Sequence, residues 1–171
     1  KAIEFEYAEA TFDWQIGSKV MAETGNFIRS MEDPNLRDDP KFYKGFSWHV
    51  DESDNFGVHT NSGVQNYWFY LLSEGDTGVN DRGQNFQVAG IGISNATEIA
   101  YRNLTYYLGP TDKFVDAKRY ALEAAYDLYG ACSQQFISTT NAWHAVGVGA
   151  AYGGSGGGNY CASASTNTND E

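Results

Sequence analysis

The chain has 171 residues, of which 42% are hydrophobic and 19% charged, so it is long enough for one globular domain with a substantial core. Its formal net charge of −11 argues against nucleic acid and anionic membrane surfaces as partners, because both are bound through clustered Lys and Arg. No run approaches the roughly 18 apolar residues of a spanning helix, and the N-terminus does not have the pattern of a signal peptide.

The N-terminal third predicts one helix followed by a long loop region. Residues 2–10 place Ile3 and Tyr7 one helical turn apart, and no capping residue precedes Lys1, so we expect this helix to begin upstream of the chain. Residues 11–63 are rich in turn-forming residues and follow neither helical nor strand periodicity. A loop of this length inside a compact domain is usually functional.

Four further helices are predicted from apolar periodicity between capping residues and glycines. They run from Ser62 to about Ser73, from Ser94 to Leu108, from Thr111 to Gly130 and from Ser133 to Gly147. Together with the leading helix they predict a mainly α domain of about five helices, in which residues 86–93 form a strand-like connector.

The composition changes after Gly149, where AYGGSGGGNYCASASTNTNDE is typical of a flexible Gly/Ser linker followed by polar residues. We therefore expect a domain over residues 1–149, with residues 150–171 forming a linker and the start of an appended module. The two cysteines, Cys132 and Cys161, form no CxxC or Cys/His pattern, and the sequence leaves open whether they are bonded to each other.

Three histidines are candidates for acid–base or metal chemistry. Asp54 and His59 are five residues apart in a turn-rich loop, so the carboxylate can hold one ring nitrogen while the other faces a pocket. The alternative is a solvated or structural loop histidine. His144 lies on an apolar helical face, which is typical of a core residue, and His49 has no acidic partner at an informative spacing. The chain has no HExxH motif and no other histidine pair at helical spacing, and therefore no complete zinc site of its own.

Six segments follow one another in an informative order along residues 1–149. They are IEFEYAEATFDWQIGSKV, NFIRSMEDP, DNFGVHTNSGVQNYWFYLLSEG, VAGIGISNATEIAYRNLTYYL, AYDLYGACSQQ and NAWHAVGVG. The series closely resembles the C-terminal helical domain of the thermolysin family of secreted zinc metallopeptidases, and IRSM and GVHTNSG are its most specific pieces. The resemblance implies an endopeptidase that cleaves peptide bonds on the amino side of bulky hydrophobic residues.

The resemblance also implies roles for individual residues. His59 would donate a hydrogen bond to the tetrahedral oxyanion, and Asp54 would orient His59. Arg29 would bind a substrate carbonyl with its charged fork. The S1′ pocket would be lined by Ile16, Val20 and Ile28.

Two metals are implied by the same resemblance. In the family, zinc is held by HExxH and a glutamate downstream of it, and these residues would precede Lys1. The resemblance therefore implies a zinc-bearing N-terminal domain as one partner. The other implied partner is a peptide or protein substrate. Glu4 and Asp13 fall on calcium ligands, although they are equally well explained as solvated loop carboxylates. Because Ser18 stands where two-calcium members carry a glutamate, we expect one calcium ion at most.

The sequence leaves two other functions open. A non-catalytic helical module could bind a peptide or a partner through the same groove, and the Gly-rich tail alone suggests a scaffold for a following domain. On the peptidase interpretation this chain by itself is expected to be inactive, because its sequence contains no zinc ligands of the family type.

Overall fold

The computed structural model describes residues 13–153 of the chain. Within this range four α-helices carry the fold: α1 (Gly63–Glu74), α2 (Ile93–Arg102), α3 (Phe114–Tyr129) and α4 (Gln134–Ala145). Two antiparallel ribbons accompany them: β1 (Gln15–Ile16) with β2 (Arg29–Ser30), and β3 (Gly75–Val79) with β4 (Asn85–Ala89). The mainly α prediction is confirmed, while the predicted helix over residues 2–10 lies outside the described residues. Within residues 13–153 we find no helix with the length and apolarity that crossing a membrane requires.

The core is organised around α1. Val64, Leu71 and Leu72 are fully buried, and Trp68 stacks on Trp143 of α4 with ring centroids 4.8 Å apart. Buried side chains of α2 and α3, most of them alanines, pack around them at Ala96, Ile99, Ala117, Ala121, Ala124 and Ala125. Burial of each large apolar side chain contributes about 1.5–3 kcal/mol, so α1 is a rigid platform for the loop that precedes it.

The caps predicted for α1 and α4 have different outcomes. Ser62 ends a 3₁₀ turn, Thr60–Ser62, that continues directly into α1, so its backbone is already helical and its hydroxyl donates to the carbonyl oxygen of His59. The predicted capping role of Ser62 is therefore wrong. Ser133 does cap α4, because its hydroxyl accepts the backbone N–H of Phe136 at 3.1 Å.

The other two helices differ from the prediction at their ends. α2 begins at Ile93, before Ser94, and its predicted last turn is a π turn over Asn103–Tyr107. α3 begins at Phe114, three residues after Thr111. Helix starts chosen from a capping residue alone are thus uncertain by a few residues when several turn formers are adjacent.

The predicted connector over residues 86–93 is in part a regular strand. Its register pairs Gly75 with Ala89, Asp76 with Val88, Thr77 with Gln87, Gly78 with Phe86 and Val79 with Asn85. Phe86 and Val88 point into the core and alternate with exposed neighbours. The hydroxyl of Ser138 donates to the carbonyl oxygen of Ala89 at 2.6 Å, which joins this hairpin to α4.

The predicted long loop contains a short ribbon that begins the site region. Gln15 pairs with Ser30 and Ile16 with Arg29. On either side of the ribbon Trp14 and Met31 are buried, and the ring of Trp14 meets the ring of Tyr70 edge-on, with centroids 5.2 Å apart.

The C-terminal part of the described chain still contacts α4. The backbone N–H of Tyr152 donates to the side chain of Asn141 at 2.8 Å. Cys132 is disulfide-bonded, and Cys161 and the remainder of the tail lie outside the described residues.

Candidate functional site

The loop in front of α1, residues 54–60 and hereafter the histidine loop, opens with a left-handed turn. Asp54, Asn55 and Phe56 have φ angles of 51°, 47° and 62°, and Gly57 follows with 84°. Each left-handed residue other than glycine costs about 1–2 kcal/mol, and Asn and Asp accept this conformation more readily than Phe. Three such residues in succession persist only where surrounding contacts hold them in place.

The carboxylate of Asp54 closes the histidine loop. Its Oδ2 accepts the backbone N–H groups of His59 at 3.0 Å and of Thr60 at 2.8 Å, and its Oδ1 contacts Nδ1 of the His59 ring. These hydrogen bonds, that from the Thr60 backbone foremost, hold the pKa of Asp54 well below its usual range. The ionised carboxylate therefore fixes the proton on Nδ1, and the His59 side chain, which is 75% exposed, presents Nε2 to its surroundings.

A buried asparagine lies against this turn. Asn61 is only 6% exposed, and its Oδ1 accepts the backbone N–H of His49 at 2.9 Å. Its Nδ2 donates to the carbonyl oxygens of His49 at 3.0 Å and of Phe56 at 3.2 Å. A Cβ at Gly57 would lie 2.3 Å from this Nδ2, so position 57 requires glycine for space as well as for its φ angle.

The other two histidines differ from their predicted settings. Nε2 of His49 lies 3.0 Å from the carboxylate of Asp51 and 2.9 Å from both the carbonyl oxygen and the hydroxyl of Ser53. The sequence offers His49 no acidic partner at an informative spacing, and the structure supplies Asp51 because the turn over residues 51–53 folds back onto the ring. His144 is half-buried, and its Nδ1 lies 3.2 Å from the carbonyl oxygen of Gly149.

Arg29 forms an ion pair that the sequence pattern did not indicate. Its Nη1 lies 2.7 Å from Oδ2 of Asp39, and the two side chains are 22% and 9% exposed. Burial raises the pKa of Asp39, and the nearby guanidinium of Arg29 opposes that shift. A Cβ at Gly63 would lie 2.9 Å from the Cβ of Asp39, so Asp39 packs directly on the first residue of α1. Asp39 thus links the β1–β2 ribbon to the helix that follows the histidine loop.

The three predicted pocket-lining residues lie on or beside the same ribbon. Ile16 is opposite Arg29 in the register and is half-buried, and the backbone N–H of Ile28 donates to its carbonyl oxygen at 2.8 Å. Ile28 and Val20 are exposed. The structure therefore brings Ile16, Ile28 and Arg29 together, with Val20 in the turn that follows β1.

A cavity with a volume of about 730 Å³ lies against the histidine loop. Phe56 and Val58 of that loop line it, opposite Leu104 and Leu108. Rings of Tyr43, Trp48 and Phe114 form its aromatic wall, with centroids 5.1–5.9 Å apart. None of the predicted site residues lines this cavity.

Only some of the metal candidates lie among the described residues. In the range 13–153, no group of three or more His, Cys, Asp or Glu side chains is arranged to hold a metal ion. Oδ1 of Asp13 accepts the backbone N–H of Gln15 at 3.1 Å, and Glu4 lies outside that range. At His59 the Nδ1 atom is engaged by Asp54, so the ring can offer a ligand or substrate one nitrogen.

Comparison with known proteins identifies the family. The family model for the "Thermolysin metallopeptidase, alpha-helical domain" matches residues 2–148. The chain is 42% identical over 148 residues to a bacillolysin of Bacillus caldolyticus and to a thermolysin of Alicyclobacillus acidocaldarius subsp. acidocaldarius, which covers 85% of this chain and 26% of each relative. Neutral protease B of Bacillus subtilis (strain 168) is 41% identical over 138 residues, covering 80% of this chain and 24% of that protein.

The match therefore spans about a quarter of the length of these relatives. The agreement of the family model over most of the chain, together with these identities, settles the membership. The chain belongs to the thermolysin metallopeptidase family, as its α-helical domain.

Proposed function

We propose that this chain is the C-terminal part of a secreted zinc-dependent endopeptidase and that it supplies the histidine that stabilises the transition state. The observation that carries the proposal is the Asp54–His59 pair: an ionised carboxylate holds Nδ1, and the exposed ring is left with Nε2 as its outward nitrogen. The family membership and the names of the relatives supply the reaction class.

His59 acts as a hydrogen-bond donor to developing negative charge. When Nε2 carries a proton, it can donate to the oxyanion of a tetrahedral intermediate, and the Asp54 carboxylate balances the charge of the ring from the other side. Because Asp54 also holds the backbone N–H groups of His59 and Thr60, the ring does not have to reorganise during the reaction. Zinc, whose ligands would lie in the rest of the protein, would supply polarisation of the scissile carbonyl and of a water molecule.

Arg29 and its apolar neighbours form the substrate side of the proposed site. Among residues 13–153 Arg29 binds Asp39 through Nη1, and we propose that its other N–H groups on the partly exposed guanidinium donate to a peptide carbonyl. Ile16, Ile28 and Val20 lie beside it as the S1′ surface. A bulky hydrophobic residue after the scissile bond would cover the exposed Ile28 and Val20 side chains, which explains the proposed preference.

Calcium and the domain limits complete the proposal. Asp13 and Glu4 are the residues that would hold one calcium ion, through the hard oxygen ligands that this cation prefers. The peptidase domain extends over residues 1–149, and residues 150–171 form a linker to a further module.

The test compares His59 with another histidine in the complete protein. His59→Ala should lower kcat by about 10²–10³, as the loss of one oxyanion donor does, with a small change in KM. His144→Ala is the matched control, since it removes a half-buried ring that faces the carbonyl oxygen of Gly149, and its kcat should stay within about threefold. An unchanged kcat in His59→Ala would remove His59 from the mechanism.

A second measurement separates the peptidase from a binding module. The 171-residue chain supplied with zinc should not hydrolyse a furylacryloyl dipeptide amide, whereas the complete protein should. If the complete protein binds the dipeptide without hydrolysing it, the chain is instead part of a non-catalytic peptide-binding module.

A further inference from the structure

Asn61 makes three hydrogen bonds with one side chain, and all three partners are backbone atoms of the segment that precedes it. Its amide satisfies both the N–H and the carbonyl oxygen of His49, as a neighbouring strand would, and it donates to the carbonyl oxygen of Phe56. At 6% exposure the amide has little access to water, so these bonds cannot be replaced by solvent.

The Phe56 carbonyl lies in the part of the histidine loop that most needs support. Phe56 is the third left-handed residue in succession, and its own side chain is 63% exposed, so the ring does little to hold the turn. The Asp54 carboxylate secures the later part of the loop through His59 and Thr60. The backbone N–H of Val58 donates to the carbonyl oxygen of Asp54 at 2.8 Å across the turn, and the hydrogen bond from Asn61 to the carbonyl oxygen of Phe56 adds a side-chain contact at its middle.

His49 connects the same asparagine to the start of the loop. Its backbone is held by Asn61, while its ring nitrogen Nε2 lies 2.9 Å from the carbonyl oxygen of Ser53, the residue immediately before Asp54. One buried amide therefore restrains the loop at its middle directly and at its start through His49.

We propose that Asn61 is a positioning residue for the Asp54–His59 pair. It keeps the left-handed turn closed, so that the Asp54 carboxylate faces Nδ1 of His59. No other polar side chain of similar size satisfies all three partners: aspartate lacks the two donated hydrogen bonds, and serine is too short to reach both His49 and Phe56. The effect of Asn61 on turnover, but not on the geometry of the ring, rests on the proposed function.

The geometric test uses the 171-residue chain with Asn61→Asp and with the uncharged, smaller Asn61→Ser. Nitrogen-15 NMR of the His59 ring reports which nitrogen carries the proton. In the parent chain Nδ1 should be the protonated nitrogen of the neutral ring, and in both variants the proton should distribute over Nδ1 and Nε2. Circular dichroism of the helices shows whether each variant remains folded.

Asn95→Asp is the matched control. The amide of Asn95 also donates to a backbone carbonyl oxygen, that of Ile91 at 2.8 Å, but Asn95 is part of α2 and not of the histidine loop. It should leave the His59 signals unchanged. In the complete protein, Asn61→Ser should lower kcat by about 10²-fold with KM nearly constant, as expected when a reacting group is displaced by about 1 Å.

The outcomes separate the two proposals. If the His59 proton distribution changes only in the Asn61 variants, the positioning role is established, and if kcat then stays at the parent value, the catalytic role of His59 is what fails. If a folded Asn61→Ser chain keeps the proton on Nδ1 as the parent does, or if Asn95→Asp disturbs His59 equally, Asn61 does not position the pair.

Discussion

Replacing Arg29 with alanine should destabilise the chain strongly, because it leaves the carboxylate of Asp39 without a cationic partner. The Asp39 side chain is 9% exposed and packs against Gly63, so water cannot readily take the place of the guanidinium. Breaking a fully buried ion pair by removing one partner costs about 3–5 kcal/mol, while an exposed pair contributes about 0–1 kcal/mol. Because Arg29 is 22% exposed, we expect a loss of about 2–3 kcal/mol in the free energy of unfolding.

Urea denaturation of the 171-residue chain measures this loss, and Arg119→Ala provides the same substitution at an exposed pair. Arg119 lies 3.7 Å from Asp116, with the two side chains 60% and 36% exposed, so its removal should cost about 1 kcal/mol at most. Adding Asp39→Asn to Arg29→Ala should recover more than half of the loss, since a neutral amide is cheaper to bury than a carboxylate.

The pH dependence of the Arg29→Ala deficit has a definite sign. Burial raises the pKa of Asp39 above its ordinary value of 3.8, and the raising effect is unopposed once Arg29 is gone. A raised pKa penalises folding where the carboxylate is ionised, and the penalty disappears as the pH falls through the folded-state pKa. The deficit should therefore shrink as the pH is lowered from 7 toward 3.8. A deficit equal to that of Arg119→Ala, or one that does not change with pH, would refute this account.

Three further predictions concern stability. Gly147→Ala should lower the free energy of unfolding by about 2–5 kcal/mol in urea denaturation, because φ is 86° and a Cβ would lie 2.3 Å from the buried ring of Phe42. Gly130→Ala is the control, with φ 81° and no atom within 4 Å of the added Cβ, and should lower it by only about 1–2 kcal/mol. Equal losses in the two variants would mean that Phe42 moves aside. The pKa of Asp54 is lowered in the folded state, so its carboxylate stabilises the fold at pH values above its ordinary pKa of 3.8, and this stabilisation is lost as the pH falls through the folded-state pKa. Asp54→Asn should therefore flatten the acid limb of a curve of unfolding free energy against pH. An unaltered acid limb would contradict this assignment. Phe56→Gly should change the free energy of unfolding by less than about 1 kcal/mol, because relief of the left-handed strain offsets the greater freedom of the unfolded chain. Phe56→Val places a β-branched residue at φ 62° and should be the less stable of the two variants in thermal denaturation. The reverse order would show that the ring itself holds the turn.

The helices were predictable from the sequence because their burial follows the period of the helix. Val64, Leu71 and Leu72 recur on one face of α1, and Gly75 and Gly130 end α1 and α3 as expected. The β3 strand was not predictable, because GDTGV has no alternation of apolar and polar residues and its identity as a strand comes only from pairing with β4.

The site divides in the same way between local and non-local information. The contact of Asp54 with His59 could be inferred from a five-residue spacing in a loop, and the structure shows it. Asp39 and His49, the partners of Arg29 and Asn61, lie 10 and 12 residues away from them in the chain, and no local pattern specifies such contacts. Asp51 is close to His49 in the chain, but its contact depends on how the turn over residues 51–53 folds back. The family resemblance was confirmed, whereas the roles that it implies for individual residues stay predictions.

The β1–β2 ribbon and α1 hold the two sides of the proposed site with very unequal strength. Each strand of the ribbon has two residues, and the ribbon is anchored to the core mainly by the flanking Trp14 and Met31, while α1 is fixed by fully buried side chains along its length. Local opening of a folded protein costs least where few apolar groups are buried, so ribbon amides should exchange with solvent deuterium well before those of α1. On warming, Arg29 would thus lose its geometry by a local opening in which His59 is still held, and the substrate side of the site would fail before the helical core unfolds.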